Sequence, residues 1–301
     1  MTDPLLPVLR AHTPAPGPRV LALAEAIRAR APEGSIAAFL FYGSGLRDPD
    51  DASLMLDLYV LTDGYAGYLG RGVRAGAARL LPPDVSYWEV PHETGLIRAK
   101  VSVLSLPDLE RRAAHGFQST FWGRFSQRVA VVSPRCEAER ARAEAALARC
   151  VRTFARAAEP LMPARVTARD FWRTALAASY RTELRAEEPE ARTAAIVDAD
   201  LPRYRAITTA LYGEPDEQGR HAMPATRSPD LWVLRRAVSR PAQVARIVRT
   251  AFFFEGAADY ALAKLERHSG VRLEVSERER RHPVLHAPIL LRRAIKAGAL
   301  R

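Results

Sequence analysis

Two short apolar runs, 36–41 and 56–60, joined through Tyr42-Gly43-Ser44-Gly45 and a polar loop, constrain this chain more than any other feature. A strand that runs into a Gly-Ser-Gly turn and returns as a second apolar strand predicts the start of an α/β sheet. Thirteen residues after Ser44, Asp57 stands alone near the head of the second strand. Glycines let backbone N–H groups approach phosphates closely, and a neighbouring strand aims a carboxylate at a divalent ion carried on them. Turn and acid together have the layout of a nucleotide-handling site. The plainer alternative is a hairpin turn with Asp57 closing a strand, since short glycine motifs recur by chance.

The pattern around this element sets the expected architecture. Residues 1–17 are Pro-rich and read as irregular, and 19–31 reads as an amphipathic helix ended by Pro32-Glu33-Gly34. Short strands are expected at 35–42, 55–62, 85–90 and 96–104, with an Ala/Gly-rich helix over 65–80. From 107 onward the chain reads as helical: 109–114, 120–127, 137–158, 168–185, 201–212, 228–237 and 240–268, with a brief strand at 129–132. The expected fold is α/β, a mixed sheet with flanking helices over 1–160. A mostly helical domain over 161–275 and a basic amphipathic segment over 276–301 follow.

At 301 residues, 48% hydrophobic and 26% charged, the chain has the composition of a globular protein with room for two domains. A net charge of +11 favours acidic partners. The chain has only three lysines, Lys100, Lys264 and Lys296, so the arginine excess is general and does not choose among those partners. Its arginines are scattered with little aromatic interleaving, so no nucleic acid is expected as a partner. Cys136 and Cys150 suggest neither a zinc site nor a disulfide framework. No basic-then-apolar leader and no run of 18 or more apolar residues is visible, so the expectation is a cytosolic chain without a membrane span.

Strand alternation puts Asp57, Tyr59 and Leu61 on one face. Sites that hold two metal ions usually place a second acid two residues after the first, and here that position is Tyr59. Glu89 on a later strand is the first candidate to complete the pair, followed by Asp63 and Glu183. Lys100, on strand 96–104, suits phosphate oxygens as a compact point charge. Arg124 and Arg128 flank a Gly-containing helix end and could fork onto phosphates. Arg181 and Arg185, four apart, share a helix face, where the competing reading is pairing with Glu187 and Glu188.

Taken in order, these segments resemble the mitochondrial-type phosphatidate cytidylyltransferase family over roughly residues 35–215. Tyr42 to Gly45 resemble its Tyr-Gly-Ser-Gly turn, and Asp57 its single acid leading a hydrophobic strand. Lys100-Val101-Ser102-Val103 is similar to its Lys-Tyr-Gly-Val segment without the Tyr or Gly. Residues 122–129 resemble its Ala-Gly-Arg-Leu-x-Lys-Pro-Val stretch, with Arg128 for the lysine and no proline. Ser179, Tyr180, Glu183 and Arg185 are similar to its Leu-Ser-Tyr helix with a downstream acid and arginine.

The resemblance implies a nucleotidyltransferase domain, a winged-helix-like helical domain and a membrane-contacting C-terminal segment. It implies transfer of CMP from CTP to phosphatidic acid with Mg²⁺ (or Mn²⁺), giving CDP-diacylglycerol and pyrophosphate. The enzyme would be cytoplasmic, peripheral on the inner face of the cell membrane, with an anionic membrane surface as partner. Asp57 and Lys100 are then catalytic. Tyr42, Gly43, Ser44, Gly45, Lys100 and Arg124 bind nucleotide, Arg128, Tyr180, Arg181 and Arg185 bind phosphate or lipid, and Asp57 with Glu89 bind metal. In the tail, a helix from about 287 groups Leu291, Ala294 and Ile295, flanked by Arg292, Arg293 and Lys296, which suits an anionic interface. The competing readings are a nucleotidyltransferase with a soluble acceptor, or an inactive nucleotidyltransferase-like binding module.

Overall fold

The computed structural model describes residues 3–46, 51, 54–93, 95–184, 188–225 and 229–253, and beyond these 275–277, 279, 289, 292 and 293. Arg185 and most of the expected amphipathic tail lie outside the described residues. No helix among the described residues is long and apolar enough to cross a membrane.

The N-terminal stretch read as irregular contains a helix, α1 (Leu5–Ala11), anchored by the buried Leu5. It is followed by α2 (Pro18–Arg30), which starts on a proline, as the first turn of a helix allows. Strands β1 (Ile36–Tyr42) and β2 (Leu56–Thr62) flank the glycine turn. The Ala/Gly-rich stretch forms two helices rather than one, α3 (Tyr65–Leu69) and α4 (Val73–Leu80), divided at Gly70 and Gly72. Then come β3 (Asp84–His92), β4 (Gly95–Ser105), α5 (Leu106–His115), α6 (Ser119–Phe125), β5 (Val129–Val132) and the long α7 (Glu137–Ala158).

These strands make a mixed five-stranded sheet in the order β3-β4-β2-β1-β5. The neighbours β1–β2, β1–β5 and β3–β4 are antiparallel, while β2 and β4 are parallel. Alternation sorts the strand residues onto two faces. Phe39, Phe41, Leu58, Val60 and Val101 pack against Val20, Leu23 and Ile27 of α2 and Ala78 of α4. Leu40, Tyr59, Leu61 and Leu104 face α5, α6 and α7 through Leu109, Trp122, Phe125 and Phe154. Burying a side chain of this size stabilises by roughly 1.5–3 kcal/mol, so both layers hold the sheet.

The second face continues without a break into the later helices. After a short β6 (Arg165–Thr167) come α8 (Ala168–Tyr180), α9 (Pro189–Ala199), α10 (Leu201–Tyr212), β7 (Arg220–Ala222) and α11 (Trp232–Phe253). Thr167 caps α8 by accepting from the Asp170 amide at 3.1 Å. Phe171, Trp172, Leu176, Tyr204 and Ile207 join the same hydrophobic cluster as the sheet face and α7. The expected boundary near 160 therefore falls between two helices, α7 and α8, that share one core. Strands β6 and β7 pair as a separate two-stranded sheet.

Candidate active site

Asp57 sits at the head of β2 with Tyr42 of β1 and Lys100 of β4 as its in-register neighbours. In-register partners share a face, so the acid, the lysine and the tyrosine project to the same side of the sheet. That side is where α6 crosses. Asp57, Lys100, Tyr42 and Gly43 line a cavity of about 240 Å³ that also takes in Arg124, Ser179, Tyr180, Glu183 and Arg192. Burial pushes the Asp57 carboxyl above its ordinary value, and Lys100 and then Arg124 pull it part of the way back.

Two glycines set how tightly the site closes. Gly43 has φ +92°, which favours glycine, and a Cβ there would stand 3.0 Å from Asp57 Oδ2. Gly43 thus presents bare backbone to the acid, and the Leu46 amide donates to its carbonyl at 3.3 Å. Gly123 lets α6 lie close to α8: a Cβ would meet Ser179 Oγ at 3.0 Å. This close approach is what brings Arg124, the next residue, over β2.

Arg124 is held by the residue that breaks the paired-acid pattern. Its Nη1 donates to the Tyr59 hydroxyl at 2.7 Å, and its guanidinium lies 5.7 Å from the Tyr42 ring centre. Tyr42, Tyr59 and Phe125 form a continuous aromatic platform, with ring centres 5.4 and 5.3 Å apart. The Tyr59 oxygen raises the Arg124 pKa well above its ordinary value against the opposing effect of burial, and Tyr42 and Glu183 add to it. The guanidinium is therefore a fixed cation. It occupies the neighbourhood where a second acid would recruit a second metal ion.

A second cavity, of about 390 Å³, shares Lys100, Thr120, Arg124 and Glu183 with the first. Its further cations are Arg112 and, from α11, Arg246; Leu184 and Ile247 stand at it as well. The two spaces meet at these shared residues, in a cleft between the sheet and the helices. A larger, more apolar cavity of about 510 Å³ lies along β5, α1 and α7, away from these charges.

No protein-family model matches the chain, and no curated protein matches it. Chemistry alone must decide what the cleft holds. Among the described residues, no cluster of three or more His, Cys, Asp or Glu is placed to bind a metal ion. Asp57 and Glu183 bring two carboxylates to the cleft, so octahedral Mg²⁺ would need phosphate oxygens and water for the rest of its shell. This donor set fits an ion that arrives with a nucleotide.

The expected site residues divide clearly. Tyr42, Gly43, Asp57, Lys100, Arg124 and Tyr180 meet at the cleft. Gly45 does not line it; a Cβ there would meet Leu56 and Phe41 at 3.0 Å, so it packs the turn into the opposite core. Ser44 opens a short helical turn, Ser44–Leu46, and its side chain is outside the described set. Glu89, the expected second metal ligand, is displaced: it lies on edge strand β3, accepts from Tyr87 Oη at 2.8 Å and pairs with Arg98 at 3.5 Å. The second acid in the cleft is Glu183, because the chain after α8 folds back over α6. Asp63 is engaged elsewhere, by Arg135 at 2.8 Å.

Arg128 and Arg181, expected at phosphates, have carboxylate partners instead. Arg128 pairs with Asp200 beside a small pocket next to Gly43, and Arg181 is exposed and pairs with Glu190. Sequence reading missed Arg192, Arg112 and Arg246, which reach the cleft from elements far apart in the chain. It also missed Arg203, buried in α10, which donates to the Ser126 and Gln127 carbonyls at 2.9 and 3.1 Å and fixes the segment after α6.

Proposed function

We propose that the chain is a metal-dependent nucleotidyltransferase that moves CMP from CTP to phosphatidic acid, giving CDP-diacylglycerol and pyrophosphate. The observation that carries the reading is the convergence of Asp57, Lys100 and Arg124 beneath the bare Gly43 turn in one cavity. An acid, two cations and a glycine that lets a ligand approach the backbone closely are what a triphosphate with its metal ion requires. In this reading β1 to β5 with their helices form the nucleotidyltransferase domain. The small β6–β7 sheet among α8 to α10 supports a winged-helix-like second domain.

Asp57 and Glu183 are the groups that would hold Mg²⁺, which when bound neutralises phosphate charge and eases departure of pyrophosphate. Lys100 and Arg124 meet the negative charge that spreads over the transferring phosphoryl oxygens, and because Tyr59 fixes Arg124 beforehand, little reorganisation is needed. The acceptor is a phosphate monoester, already anionic near neutral pH. Its oxygen bonds to the α-phosphorus, the bond to the bridging oxygen breaks, and pyrophosphate leaves with the electron pair. No proton has to be removed from the nucleophile. The second cavity suits the acceptor headgroup, with Arg112 and Arg246 as its cations. The protein would act at a membrane surface as a peripheral enzyme.

Incubation with CTP labelled at the α-phosphate, Mg²⁺ and phosphatidic acid tests the reading. The expected result is label in the lipid extract and equimolar pyrophosphate, both lost in Asp57→Asn. Label appearing only in a water-soluble product would replace phosphatidic acid with a soluble acceptor. No transfer to any acceptor, or full activity in Asp57→Asn, would reject the enzyme assignment.

A further inference from the structure

Helix α11 is built inside out. Of the twelve large apolar side chains exposed among the described residues, six lie on it: Val233, Leu234, Val238, Val244, Ile247 and Val248. Its inward face carries one core aromatic, Trp232, and the polar Arg235, Ser239 and Arg249, all buried. That face is fastened by polar contacts. Trp232 Nε1 donates to the Ala157 carbonyl at 2.9 Å, and Arg235 donates to the Phe117 carbonyl at 2.9 Å while lying 5.0 Å from the Trp122 ring centre. Gln243 Oε1 accepts from the Leu184 amide at 2.8 Å, and Arg249 donates to the Pro83 carbonyl. A surface helix ordinarily turns its apolar stripe to the core. Here polar anchoring holds the valines outward, with none of the described residues covering them, so they present a face for an apolar or amphipathic partner.

Charge and position choose that partner. Arg236 and Arg240 are exposed and border the valine stripe, one turn apart, and α11 contains no acidic residue. A second copy of the chain docked by its own α11 would set these arginines against each other with no carboxylate from the helix between them. An anionic lipid surface answers both features, since headgroups meet the arginines while acyl carbon meets the valines. The patch also adjoins the cleft: Ile247 belongs to both the exposed stripe and the second cavity, with Arg246 one residue before it. We propose that the outward face of α11 rests on an anionic lipid surface and holds the mouth of the second cavity at that interface. The proposal deepens the lipid-acceptor reading above and rests on it.

Co-sedimentation of the full chain with phosphatidylcholine vesicles, with and without phosphatidylglycerol, tests the proposal. Val233→Asp/Val244→Asp/Val248→Asp alters only exposed positions outside the cleft, and circular dichroism with thermal melting checks its fold. The expected result is binding to the anionic vesicles that falls by tenfold or more in this variant. Arg236→Glu/Arg240→Glu serves as a second variant, lowering binding to anionic vesicles and leaving the weak binding to neutral ones unchanged. Asp57→Asn binds vesicles like the wild type, so loss of catalysis and loss of docking are separate outcomes. Unchanged vesicle binding in both α11 variants would overturn the proposal and move the contact to another segment. A dimer that the triple variant dissolves, with no vesicle binding by the wild type, would overturn it in favour of a second copy.

Discussion

On one side of the sheet, Phe39, Phe41, Leu58 and Val101 meet α2 and α4 in an apolar layer; on the other, Tyr42, Asp57, Tyr59 and Lys100, their immediate neighbours along the strands, look into the cleft under α6. The same backbone serves both. Because side chains alternate, one strand contributes packing through one set of positions and chemistry through the next, without compromise between them. The comparison teaches that the two sets should fail differently. Changes on the apolar side should cost stability, whereas changes on the cleft side should cost activity and in one case add stability.

The largest expected effect is on the cleft side. Asp57→Asn should lower CTP turnover by about 10³-fold or more, and Lys100→Ala by about 10²–10³-fold, in initial rates at saturating Mg²⁺. The apolar side comes next: Leu58→Ala should destabilise by about 2–5 kcal/mol in denaturant unfolding, with CTP affinity of the folded fraction unchanged. Loss of affinity there would show that the faces are coupled. Glu183→Gln should raise the Mg²⁺ needed for half-maximal activity about tenfold, while Glu89→Gln should leave it within about twofold. The opposite order would restore Glu89 as the metal partner. Tyr59→Phe removes only the oxygen that anchors Arg124 and should cost about tenfold in kcat/KM, with unfolding changed by less than about 1.5 kcal/mol.

The smallest effect has an unusual sign. Burial raises the Asp57 pKa in the folded protein, so folding favours its protonated form. The stability that this provides is complete below the unfolded pKa and is lost as pH rises through the folded one. At neutral pH the ionised acid therefore opposes folding, and Asp57→Asn should raise Tm. The gain should shrink as pH falls toward the carboxyl range. A Tm that drops in Asp57→Asn would mean that Lys100 and Arg124 outweigh burial.

Local pattern made part of this legible. The β1–turn–β2 element, β4, β5 and α7 follow from apolar alternation and helical spacing, and with them the shared face of Asp57 and Lys100. The Tyr59–Arg124 bond was hidden because it joins residues 65 apart in the chain and depends on how closely α6 packs on α8 at Gly123. Glu183 ranked behind Glu89 because strand proximity is readable, whereas the path of the chain after α8 is not. In α11 the period marks an apolar stripe but not which way it faces. Two helices were expected where one continues through Pro241, and the polar anchors that turn the valines outward come from distant segments.

In the proposed reaction, Asp57 secures a divalent ion only together with a triphosphate seated at the Gly43 turn. Titration of Mn²⁺ followed by electron paramagnetic resonance, with and without a non-hydrolysable CTP analogue, measures this directly. Tight uptake of Mn²⁺ is expected only when the analogue is present, and it disappears in Asp57→Asn. Equal Mn²⁺ uptake by the wild type and Asp57→Asn, or uptake indifferent to the analogue, would contradict it.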